Sequence, residues 1–133
     1  MKKMSLYIFL SIICACKKDS SQQPIVGEWV WYLNRTNNPY YNTTPQSTGI
    51  TEILKIQANG EYNVLINNQI ENTGTYKLTY EVANNGSIVN KILYTNQRII
   101  DSVEYYVIQN DTLRFSWGLI GSVGSRSRFY KRK

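Results

Sequence analysis

Histidine is absent from this chain of 133 residues, and its two cysteines, Cys14 and Cys16, have a single residue between them. Without histidine there is no ordinary proton shuttle near neutral pH, no imidazole metal ligand, and no Ser/His or Cys/His nucleophile pair. Two cysteines so spaced cannot complete a four-ligand zinc site, and no third cysteine or histidine exists to help them. Alanine and leucine are scarce, which argues against long helices. The longest apolar run, Leu6 to Ala15, is about ten residues, well short of the ~20 that a membrane-spanning helix needs. No enzyme activity, metal or cofactor is therefore expected.

Aromatics, by contrast, are plentiful: eleven Tyr, three Trp and three Phe, among abundant Thr, Ile, Val and Asn. That mixture favours strands and turns. The formal charge is +6, and five of its positive groups, Arg126, Arg128, Lys131, Arg132 and Lys133, crowd into the last eight residues. Such a cluster can meet anionic lipid or nucleic acid, or can be a solvated strand end. No nucleic-acid motif accompanies it, so no nucleic-acid partner is expected.

Residues 1–16 begin with Lys2 and Lys3, continue through the apolar run, and reach a small residue, Ala15, just before Cys16. Length and flanks match a secretory leader. The segment Ile13-Cys14-Ala15-Cys16 resembles the bacterial lipobox. That resemblance implies a signal peptide over 1–15 and a mature protein whose first residue, Cys16, carries lipid. It also implies a bacterial cell envelope location, with the outer membrane as the anchoring site. Residues 16–24 would then form a polar tether, whose "KKDSSQQP" reaches at most ~28 Å, and residues 25–133 the folded domain.

From Ile25 onward the chain consists of short alternating runs divided by Asn, Gly, Asp and Thr. They are "IVGEWVWYL", "ITEILKI", "EYNVLIN", "GTYKLTYEV", "SIVNKILYT", "SVEYYVIQ", "TLRFSW" and "SRSRFYKR". Asn59-Gly60 is a strong hairpin signal, with both residues expected at positive φ. Tyr62, Val64 and Ile66 share one strand face, and Tyr76, Leu78, Tyr80 and Val82 another. About eight strands with short links predict an all-β fold, as an antiparallel up-and-down barrel or, alternatively, a β-sandwich. Two stretches interrupt the rhythm: a polar loop over 34–49, read as either a lid or a passive connection, and the glycine-rich segment 118–125.

Gly27-Glu28-Trp29 resembles the Gly-x-Trp signature of lipocalins and other calycin barrels, and "ANGEY", "GTYKL" and "NDTL" resemble hairpin phrases of lipocalin-like lipoprotein domains. The resemblance implies that Trp29 lies across the barrel floor under an arginine of the last strand, either Arg128 or Arg126. It also implies a small apolar or amphipathic ligand at the open end, with Trp31, Tyr32, Tyr40 and Tyr41 as contact candidates. The alternative is a non-catalytic accessory module that touches a protein or glycan partner through exposed tyrosines. Glu28, Glu52, Glu61, Glu71 and Glu81 are read mostly as solvated charges on the polar sides of their strands.

Overall fold

A computed structural model describes residues 24–96, 99–117 and 126–133, and for residues 96 and 99–103 it defines the backbone only. The leader, Cys16 and nearly all of the tether lie outside the described residues, as does the glycine-rich segment 118–125. Eight strands are present: β1 (Gly27–Thr36), β2 (Glu52–Ile56), β3 (Glu61–Ile66), β4 (Gln69–Val82), β5 (Ile88–Asn96), β6 (Ile99–Gln109), β7 (Thr112–Trp117) and β8 (Arg126–Arg132). Each pairs antiparallel with the next, and β8 returns to β1, which closes an up-and-down barrel. Closure removes the sandwich alternative and leaves the sheet with no free edge along the shared length of its strands.

Local chemistry explains the links. Between β2 and β3, Gly60 takes φ +88° and its N–H donates to the Gln57 carbonyl at 3.2 Å. The Asn59 side chain accepts from the Glu61 N–H at 3.0 Å. Of the expected Asn-Gly pair, then, only the glycine is left-handed. Two consecutive left-handed residues occur instead at Asn67 (φ 50°) and Asn68 (φ 67°), the tight turn between β3 and β4. Because that turn is so short, β4 starts at Gln69, five residues ahead of the run expected from Gly74. The polar loop is ordered. It holds a 3-10 turn (Pro39–Tyr41) and a four-residue helix, α1 (Pro45–Thr48), capped reciprocally by Thr44 and Ser47. A bridge between Asn34 and Thr43 ties it back to the end of β1.

Trp29, Ile56, Ile92, Leu113 and Phe115 are fully buried inside the barrel. The floor is built on Trp29, whose indole N–H donates to the Ile25 carbonyl at 2.7 Å. The arginine over its ring is Arg132, with Cζ 4.2 Å from the ring centroid, and neither Arg128 nor Arg126. Register is the reason. Trp29 sits near the start of β1, so its antiparallel partner must sit near the end of β8, and the two are directly paired. Arg128 pairs with Asn34 and Arg126 with Thr36, toward the opposite end. Arg132 also donates to the Val26 carbonyl at 3.2 Å and the Pro24 carbonyl at 2.9 Å, strapping the lead-in to the floor. Gly27 is required beneath it: φ is +148°, and a Cβ there would lie 2.9 Å from an Arg132 nitrogen.

Arg132→Ala and Gly27→Ala should each destabilise the barrel by about 1–2 kcal/mol, from the lost cation–π contact and strap in one and backbone strain in the other. Arg126→Ala, on an exposed side chain, should stay within about 0.5 kcal/mol of wild type. Urea unfolding checks this order; a larger loss for Arg126→Ala would contradict the floor assignment.

Candidate functional site

Above the floor the interior changes character. Period-two alternation carries Glu52 onto the same face as Leu54 and Ile56 in β2, and Glu104 onto the face of Tyr106 in β6. From β8, Arg128 and Tyr130 point inward. These side chains meet in a cavity of about 250 Å³, walled on its apolar side by Tyr62, Tyr94, Phe115 and Trp117. The rings pack edge-on, Tyr62 against Tyr94 at 4.8 Å and Phe115 against Tyr130 at 5.8 Å between centroids. Gly74 makes room for this wall, since a Cβ there would meet the Tyr62 ring at 2.9 Å.

Arg128 organises the polar side. Its Nη1 donates to Glu52 Oε1 at 3.2 Å and to the Tyr130 hydroxyl at 3.3 Å, and its Nε donates to Asn34 Oδ1 at 3.2 Å. Tyr130 in turn donates to the same Glu52 oxygen, and the guanidinium lies 5.2 Å from the Trp117 ring centroid. Asn34 stands beside Arg128 because of a bulge. The β1–β8 register shifts between Trp31 and Leu33, and without that extra residue Leu33 would stand opposite Arg128.

Burial pushes the Glu104 carboxyl up to about 7, against the opposing pull of Arg128 and of a hydrogen bond from Trp117. Burial also holds the Tyr94 and Tyr130 hydroxyls well above the usual tyrosine range, reinforced by Glu104 for the first and Glu52 for the second. Near neutral pH the cavity therefore holds the Arg128–Glu52 ion pair, the neutral phenols of Tyr94 and Tyr130, and a carboxyl, Glu104, poised between its two forms. Among the described residues no three Asp, Glu, Cys or His side chains gather in a way that could hold a metal ion.

All four expected contact residues lie elsewhere. Trp31 is buried in the core beneath the cavity, its indole N–H without a protein acceptor. Tyr32 is on the outer face, packed against Phe129 at 6.2 Å. Tyr40 and Tyr41 project into solvent from the 3-10 turn, 94% and 70% exposed. None of the four lines the cavity. Of the arginines expected to plug the floor, Arg128 is the cavity's central cation. Glu52 is 9% exposed and inward, contrary to its reading as a solvated charge; its alternation with Leu54 and Ile56 already carried that information.

No family model, curated protein or solved structure matches this chain. The site has to be read from its own chemistry.

If burial sets the ionisation of Glu104, the folded state holds its proton more tightly than the unfolded chain does. Stability is then fully present below about 4.5 and is lost as pH rises toward about 7. Glu104→Gln should flatten the stability profile over that window and be more stable than wild type at pH 8, by on the order of 2–3 kcal/mol. Chemical denaturation of both proteins across pH 4–8 tests it; parallel profiles would refute it.

Proposed function

We propose that this chain is a lipid-anchored, non-catalytic lipoprotein of the bacterial cell envelope, held at the outer membrane through Cys16. In this reading its lipocalin-like barrel carries a small amphipathic ligand. The observation that supports ligand binding is the cavity, aromatic on one wall and polar on the other, around Arg128, Glu52 and Glu104. Its volume of about 250 Å³ lies just under the roughly 300–1,000 Å³ of drug-sized pockets, which suits a small ligand with a short apolar body. The polar head would meet Arg128 or Glu104, and the body would lie against Tyr62, Tyr94 and Phe115. A second reading rests on Tyr40 and Tyr41. Held outward by a capped turn, they suit contact with a protein or glycan partner better than contact with the cavity.

Calorimetric titration with alkyl carboxylates and alkylamines of about six to eight carbons should show saturable binding. Val64→Trp, which places bulk in the cavity, should weaken it about tenfold or more. No saturable binding by wild type, or equal binding by the filled variant, would exclude the cavity. The anchor is tested separately by fatty-acid labelling in a bacterial host: Cys16→Ser should lose label and leave the membrane fraction, and retained label would exclude lipidation there.

A further inference from the structure

β4 outruns the barrel it belongs to, and β5 follows it for two residues past its last pair with β6, Asn90 with Tyr106. β3 stops pairing with β4 at Thr75, yet β4 continues to Val82 alongside β5 alone. Those last seven residues extend ~20 Å at strand rise. On this overhang Leu78, Tyr80, Val82 and Ile88 occupy one face, since Leu78 pairs with Ile92, Tyr80 with Asn90 and Val82 with Ile88. They continue the inward face of the barrel, but past its floor no described residue covers the last three: Tyr80, Val82 and Ile88 are each about two-thirds exposed. The other face carries Lys77, Thr79 and a Glu81–Lys91 ion pair, with Val89 and Leu93 as its apolar members. The hairpin is an amphipathic ribbon.

Its position identifies what covers the apolar face. The overhang leaves the barrel at the Trp29 end, where Arg132 holds the Pro24 carbonyl and the described chain begins. The eight residues that precede Pro24 in the sequence, 16–23, can span at most ~28 Å from that point, comparable to the overhang itself. We propose that the Leu78, Tyr80, Val82 and Ile88 face is a bilayer-contact surface, which lies in the headgroup–acyl boundary and seats the barrel floor-end toward the membrane. The inference rests on the lipid-anchor part of the reading above. The chemistry fits that depth: branched aliphatic side chains insert, and a tyrosine places its ring among the headgroups. Exposed Lys131, near the end of β8, lies at the same end and can face anionic lipid. Glu28 already pairs with Lys55 and Lys133, so apolar contact carries the binding and added salt should change it little.

The test uses the chain from residue 16 onward with Cys16→Ser, which contains all eight strands but no acyl group, so its result is independent of whether Cys16 is lipidated. Co-sedimentation with phosphatidylethanolamine/phosphatidylglycerol vesicles should show binding that persists in high salt. A Val82→Asp/Ile88→Asp double variant should bind about tenfold less or weaker still, and Thr79→Glu, on the opposite face, should bind as wild type. Absence of vesicle binding, equal binding by the double variant, or a dimer in solution that the double variant abolishes while vesicles bind neither protein would each overturn the proposal.

Discussion

The seam between β1 and β8 is the constraint from which the rest of the structure follows. Seven successive antiparallel links only make a curved sheet; the eighth pairing closes it and fixes which residues of the first and last strands face each other. At the lower end that register puts Arg132 over Trp29, and through Arg132 it secures residues 24–26 and demands a residue without a side chain at Gly27. At the upper end the same seam sets Arg128 beside Asn34. The one-residue bulge between these points lets an apolar floor and a polar cavity share a single pair of strands. Trp31 stays in the core below it, and Asn34 stands beside Arg128 above it.

The polar upper interior is costly by the usual standards of barrel packing. Buried ion pairs are weak stabilisers, because desolvation consumes most of their mutual attraction. A second carboxylate, Glu104, adds to that cost. Filling the same volume with aliphatic side chains would give a firmer core. An arginine held by three hydrogen-bond acceptors, facing a wall of edge-packed rings, is what the proposed ligand site would need and what a purely structural core would not.

Much of this was legible in the sequence. Eight strands, their antiparallel order and the floor tryptophan follow from alternation, turn residues and the Gly-x-Trp phrase, all of which are local signals. Register was not legible, because it depends on how far each turn advances the chain. The Asn67-Asn68 turn, overlooked beside the more obvious Asn59-Gly60, lengthened β4 by five residues. The β1–β8 pairing selected Arg132 from three arginines that alternate onto one face. The cavity was half legible: Glu52 with Leu54 and Ile56, Glu104 with Tyr106, and Arg128 with Tyr130 each share a strand face in the sequence. Only closure shows that the three faces converge. Conspicuous aromatics drew attention to Tyr40 and Tyr41, which their loop holds away from the interior.

The mismatch between β3 and β4 gives the barrel a direction. A closed sheet has no reason of its own to let one strand outrun its neighbour by seven residues, since the overhang forfeits a hydrogen-bonding partner on one side and leaves apolar side chains in water. Here the overhang leaves from the end where the described chain begins, at Pro24, and the cavity lies at the other end. If lipid holds the first end, the cavity opens away from the bilayer, and its ligand arrives from the aqueous side without having to leave the membrane. That geometry agrees with the cavity's chemistry. A pocket filled from within the bilayer has little need of an ion pair and a carboxyl poised near neutrality, whereas one filled from water must replace the hydration of a ligand's polar head, which Arg128, Glu52 and Glu104 are placed to do.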